Sequence, residues 1–162
     1  MIEHEQEFYD TYSFFFDLPF DSQKKHRLFH GLIAGEPWAW QVIGITEEAL
    51  KKLEDNDFKY TSGQICRAHF VERTETSKKI FTKKIPREEF FEYYLRMDKT
   101  VISLKPENRS NSPPPSQFIP IDPELKLFTS TMTGFRYGTK ERKHLKELYT
   151  DYKAGKVSLQ SA

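Results

Sequence analysis

The chain has 162 residues, 37% of them hydrophobic and 15% aromatic, which suffices for one ordinary domain with a buried core. Fourteen Phe and eight Tyr exclude a disordered chain and point to a core built from rings. The net charge of +1 conceals a polarity: residues 1–23 hold six acids (Glu3, Glu5, Glu7, Asp10, Asp17, Asp21) and no Lys or Arg, so residues 24–162 carry +7.

That basic remainder points to a polyanionic partner, or to an acidic first helix packed beside a basic face of its own domain. Cys66 is the only cysteine, which excludes an internal disulfide and a multi-cysteine zinc site and fits a reducing compartment. The apolar run Phe14–Phe20 is short, follows acidic residues, and contains Asp17 and Pro19, so it reads neither as a secretory nor as a membrane-spanning segment. The expectation is a cytoplasmic protein without membrane contact.

Residues 3–16 and 21–33 read as helices separated by Leu18-Pro19-Phe20, with Asp21 or Ser22 capping the second. Phe8, Tyr12, Phe15 and Phe16 form a stripe on the first. After Gly35-Glu36-Pro37, alternation from Trp38 through Trp40, Val42 and Gly44 predicts a strand apolar on both faces. Thr46 caps a short helix with Glu47 and Glu48 in its first turn, ending near Asp55-Asn56. A second strand is predicted from Gln64 to Arg73, with Ile65, Ala68, Phe70 and Val71 as its apolar members. Pro86 opens a helix through Met97, and Thr100–Leu104 is a short strand. Residues 105–117 are a proline-rich loop; Phe118–Ile121 and Leu127–Tyr137 are extended, with Gly134 a bulge or close-approach point. Thr139 caps a final helix with Leu145, Leu148, Tyr149 and Tyr152 on one face, which Gly155 ends. No internal repeat or long linker divides the chain. The sum is a single α+β domain in which helices surround a small, mostly antiparallel sheet.

No P-loop, G-x-G-x-x-G, G-x-S-x-G, H-E-x-x-H or cysteine pair occurs, so Walker, Rossmann and structural-zinc chemistry lack support. The segment that stands out is Ile65-Cys66-Arg67-Ala68-His69-Phe70-Val71-Glu72-Arg73, which places a histidine between arginines on a half-buried strand. Arg67-Ala68-His69 followed by two apolar residues resembles the first strand of the HNH, or His-Me finger, endonucleases. Asp98-Lys99-Thr100-Val101-Ile102-Ser103-Leu104-Lys105-Pro106-Glu107-Asn108 resembles that family's second strand and its approach to the metal-binding helix, and the likeness spans residues 64–111.

The resemblance implies a metal-dependent DNA endonuclease. His69 would be the general base that activates water, since its unperturbed pKa lies near neutrality. Asn108 would be a ligand for Mg²⁺ or Mn²⁺ on the scissile phosphate, and Asp98 would orient His69 or join the metal. Beside it stands a structural reading, in which His69 is a hydrogen-bonded strand histidine. A second nuclease pattern, Asp98 with Glu124-Leu125-Lys126, has the loose form D…E-x-K.

The non-catalytic alternative is a nucleic-acid-binding domain. Trp38 and Trp40, two apart on a strand, would stack on bases while Arg67, Arg73, Lys105, Arg109 and Arg136 meet phosphates; both tryptophans would instead be core if their rings face inward. Phe135-Arg136-Tyr137-Gly138 puts an Arg between rings, in core or in contact. Lys78, Lys79, Lys83, Lys84 and Arg87 form a dense run before the Pro86 helix, of the kind that is usually a solvated face. Lys140, Arg142, Lys143 and Lys146 cover the polar side of the last helix and would reach phosphates only if that side faces a groove. A third reading is a protein-interaction module docking through the acidic first helix. A homodimer is compatible with the sequence, though nothing in it calls for one.

Overall fold

Proline and acid punctuation at residues 17–21 sets the geometry of the N-terminal helical hairpin. The computed structural model describes residues 4–33, 36, 38–60, 63–108, 115–128 and 137–161, without the side chain of Arg73. Helix α1 (Glu5–Asp17) stops at Leu18, which is extended (ψ 147°) as a residue before proline must be. Asp21 caps α2 (Ser22–Ile33), its Oδ1 accepting from the Lys24 amide at 2.9 Å.

Strand β1 (Val42–Ile45) leads through Thr46, whose hydroxyl accepts from the Ala49 amide at 3.2 Å, into α3 (Glu47–Glu54). Then come β2 (Ile65–His69), α4 (Arg73–Thr82), α5 (Arg87–Met97) and β3 (Thr100–Leu104). A 3₁₀ turn (Lys105–Asn108), β4 (Gln117–Pro120), a second 3₁₀ turn (Pro123–Leu125), α6 (Thr139–Lys153) and β5 (Gln160–Ser161) complete the chain.

The class is α+β, with one five-stranded sheet in the order β2-β3-β1-β4-β5. The sheet is mixed rather than mostly antiparallel: the neighbouring strands β1 and β3 run parallel, joined by a crossover through α3, β2, α4 and α5. β2 and β4 flank them antiparallel.

Two apolar clusters fill the interior. One joins the sheet to α3 and α6 through Ile45, Leu50, Leu53, Ile102, Ile119, Phe128 and Leu145. The other is made of rings from α1, α2, α4 and α5, with Tyr12, Phe29, Phe90 and Tyr94 almost fully buried. Tyr12 and Phe90 stack at 4.1 Å.

Four local expectations are corrected. The strand expected from Trp38 begins only at Val42, because Trp38–Trp40 is a turn and Trp40 is left-handed (φ 57°). Trp38 and Trp40 therefore do not line one sheet face. The strand expected through Arg73 ends at His69, and α4 starts at Arg73. The cap of α6 is Gly138 rather than Thr139, with Glu141 Oε2 accepting the Gly138 amide at 2.9 Å. The loop expected over 105–117 is helical over Lys105–Asn108 and already strand at Gln117, while residues 109–114 lie outside the described residues. Residues 129–136, including the expected extended chain, Gly134 and Phe135-Arg136, also lie outside them. Among the described residues no helix is long and apolar enough to cross a membrane.

Candidate metal centre

Three chain segments meet where β2 ends and β1 and β3 begin. On β2, Arg67 and His69 are two apart and so share a face. The ladder pairs His69 with Thr100, and the Phe70 amide extends it by donating to Lys99 O at 3.0 Å. Asp98 is the C-cap of α5, its amide donating to Tyr94 O at 2.9 Å, so the helix end fixes its carboxylate beside the histidine. His69 Nε2 stands 3.3 Å from Asp98 Oδ1. The other carboxylate oxygen, Oδ2, accepts the Trp40 amide at 2.7 Å.

The left-handed backbone of Trp40 explains why the strand starts late. Its amide goes to Asp98, and its carbonyl accepts from Thr100 Oγ1 at 3.1 Å and from Arg67 at 3.4 Å. A bulky residue at positive φ costs about 1–3 kcal/mol and persists where its surroundings over-determine it. Here those surroundings are the site. The indole ring lies edge-on to His69 at 4.5 Å and to His30 at 4.9 Å, with the Arg67 guanidinium 4.9 Å from its centroid. Burial pulls the Arg67 pKa down, opposed by the negative charge of Asp98.

His30 comes from the buried face of α2, one turn after His26 and beside Phe29 and Ile33. The ligand atoms of His30, His69 and Asp98 all lie within 4.8 Å of one another. Ligands at about 2.1 Å from a tetrahedral ion stand about 3.4 Å apart. The His69–Asp98 spacing of 3.3 Å already meets that, and His30 offers a third ligand atom within 4.8 Å of both. Two imidazoles and one carboxylate form a borderline donor set, suited to Zn²⁺, Mn²⁺ or Fe²⁺ with open positions. The same set suits Mg²⁺ poorly, since Mg²⁺ prefers oxygen ligands and retained water.

The structure thus brings His69 and Asp98 together and separates Asn108 from them. Asn108 is exposed at the opposite end of the β2–β3 ladder, three residues or roughly 10 Å along the strand, where its Nδ2 donates to Cys66 Sγ at 3.5 Å. Lys105 lies at that far end too, its amide bonded to Gln64 O. Glu124, in an exposed 3₁₀ turn, is outside the only such ligand group among the described residues.

Trp38 packs edge-on against Phe8, Phe91 and Tyr94 and belongs to the aromatic cluster, whereas Trp40 walls the centre. Arg67 stands at the centre, while the Arg73 side chain, Arg109 and Arg136 lie outside the described residues. On α6, Arg142 and Lys146 both hold the Asp57 carboxylate, Lys146 at 2.6 Å, and pull its pKa down.

His30 is the site residue that sequence reading missed. Its signal was present: His26 and His30 are four apart and coincide with the apolar positions of α2, where a histidine is rarely placed. Comparison with protein-family models, with curated proteins and with solved structures finds no match for this chain.

Proposed function

We propose that this chain is a metal-dependent phosphodiester hydrolase acting on nucleic acid, DNA in the first instance, with its centre at His30, His69 and Asp98. The observation that carries the reading is the convergence of those three ligand atoms within 4.8 Å. It changes the role of His69, from general base to metal ligand, keeps Asp98 as a ligand, and puts His30 where Asn108 was expected. A divalent ion held there would supply a Lewis acid for a phosphoryl oxygen and an activated water. The protein supplies the rest. Asp98 is fixed by the Trp40 amide, the indole keeps both imidazoles in place, and Arg67 brings a cation next to the carboxylate. An Arg in that position can take negative charge developing on a phosphate. The free Cys66 thiol, set against Ser103 and Asn108, fits the reducing cytoplasm as the place of action.

The test uses metal-stripped protein reloaded with Zn²⁺, Mn²⁺ or Mg²⁺ and incubated with supercoiled plasmid and single-stranded DNA. Nicking with Zn²⁺ or Mn²⁺, weak or absent with Mg²⁺ and abolished in His69→Ala and Asp98→Asn, is the expected result. Cleavage that His69→Ala retains in full removes the centre from the chemistry. A second reading, nucleic-acid binding without cleavage, is favoured by a separate observation: a lysine-rimmed cleft between α4 and α5.

A further inference from the structure

The lysine run at residues 78–84 does not form a flat solvated face. It borders a concavity of about 530 Å³, lined by Lys78, Lys79, Lys83 and Lys84, with Ile85, Pro86 and Tyr93 as apolar and aromatic walls. That volume lies within the usual range of small-ligand sites. The connector forming one wall is held rigidly: the Ile85 carbonyl accepts from Tyr9 Oη at 3.0 Å and its amide donates to Tyr12 Oη at 3.0 Å. Lysine stems cover apolar surface while their ammonium groups stay at the rim.

The charge balance at the cleft is positive. Four lysines face one acid, Glu89. Glu75 partly offsets Lys78 at 3.1 Å and Asp17 partly offsets Lys84 at 3.9 Å, both in exposed pairs of small strength. Lys79 and Lys83 form no ion pair among the described residues. The Tyr93 hydroxyl is buried, and among the described residues it has no hydrogen-bond partner. With that oxygen closed off, it is the ring of the half-buried Tyr93 that is left to meet a ligand in the cleft.

We propose that this cleft seats single-stranded nucleic acid, with backbone phosphates on Lys79 and Lys83 and a base against Tyr93 and Pro86. A duplex presents phosphates but keeps its bases stacked, so it would use the rim and leave the apolar walls empty. An unstacked strand uses both, which is how cationic grooves with aromatic side chains hold single strands. An acidic peptide would satisfy the lysines but gives the aromatic wall nothing to stack on. The proposal takes its ligand class from the proposed function, and binding is measured without cleavage so that the two stand or fall separately.

The experiment is fluorescence anisotropy on the full chain in EDTA, with labelled oligothymidylate of about 20 nucleotides, a matching duplex, and polyglutamate as competitor. Binding is expected to favour the single strand and to weaken as salt rises from roughly 50 to 200 mM. Lys79→Glu with Lys83→Glu should weaken it at least tenfold and flatten the salt slope by about 1.4, two phosphate contacts at about 0.7 each. Tyr93→Leu should weaken it about 5- to 100-fold, the scale of one lost base–aromatic stack. Lys143→Glu on α6 serves as the control and should leave affinity unchanged; circular dichroism melts check that each variant folds. The proposal is overturned by no binding in the parent, by unchanged affinity in the double lysine variant or in Tyr93→Leu, or by polyglutamate displacing the strand at equal charge, which would assign the cleft to an acidic protein. Binding that persists where no metal supports cleavage upholds the cleft and sinks only the hydrolase reading.

Discussion

Tyr12 uses both sides of one oxygen inside the aromatic cluster. Its hydroxyl donates to Ile80 O at 2.7 Å and accepts the Ile85 amide at 3.0 Å, tying α1 to α4 and to the connector that walls the lysine cleft. Tyr12→Phe keeps the ring and strands two backbone groups, so a loss of about 1–3 kcal/mol is expected in urea unfolding. An unchanged midpoint would mean that those groups find other partners. Burial raises the Tyr12 pKa to about 12, and burial does the same to Tyr137. Unfolded tyrosine titrates near about 10. A raised folded pKa means that the stabilisation is complete below about pH 10 and is lost as pH climbs toward about 12. Alkaline unfolding in that window should be less steep in Tyr12→Phe than in the parent. At this scale the sequence disclosed His69, because a polar residue inside an apolar strand is conspicuous, whereas Asp98, the cap that ends α5, was singled out only through the family resemblance. It concealed His30, since a helical histidine on a buried face looks like packing until β2 is seen opposite. It misplaced Asn108 because position along the chain does not say which end of a ladder a residue reaches.

Gly44 shows the same logic for an element. It sits where the β1–β3 register shifts, between Val42 and Gly44, and faces β4 across the ladder. A Cβ there would overlap the Phe118 ring and stand 2.8 Å from Ile119 O, a backbone atom that cannot step aside without breaking the pairing. Gly44→Ala should therefore cost about 1–3 kcal/mol, read as a lower urea midpoint at constant slope. A neutral result would show that β4 is free to shift. The elements with strong local signals were legible: α1 by its ring stripe, α2 by the proline break and its cap at Asp21 or Ser22, α3 by Thr46, α5 by Pro86, β3 by its apolar run. α4 was not, because Arg-Thr-Glu-Thr-Ser-Lys-Lys-Ile-Phe-Thr is poor in helix formers and buries Thr76 and Ser77 beside Ile80 and Phe81, which blurs the periodicity. The start of β1 was misread because the alternation Trp38, Trp40, Val42 is genuine, yet the hydrogen bonds of Trp40 go to Asp98, Arg67 and Thr100 instead of a ladder. Tertiary contacts outweighed a correct local pattern.

At the level of the molecule, the candidate centre lies on the seam between the two apolar clusters. His30 is carried by α2, whose Phe29 and Ile33 belong to the aromatic cluster, while His69 ends β2, whose Ile65 belongs to the sheet cluster. Asp98 joins α5 of the first to β3 of the second. An ion bound by all three would cross-link the halves in the folded state, and the unfolded chain offers no such arrangement. Binding then adds about 2.7 kcal/mol at a metal concentration one hundred times the dissociation constant. For a domain of this length, that corresponds to a rise of about 5–10 °C in Tm. Zn²⁺ or Mn²⁺ should produce this shift in the stripped parent, read by scanning calorimetry. In Asp98→Asn, where the amide oxygen can still accept from the Trp40 backbone, the melt should lose most of its metal dependence. The comparison is made within each variant, with and without ion, so any change in the metal-free stability cancels. A parent that melts at one temperature regardless of Zn²⁺ or Mn²⁺ would mean that the folded chain holds neither ion, an Asp98→Asn protein that gains as much as the parent would place the ion elsewhere, and either result would leave His30, His69 and Asp98 as a polar seam between two cores.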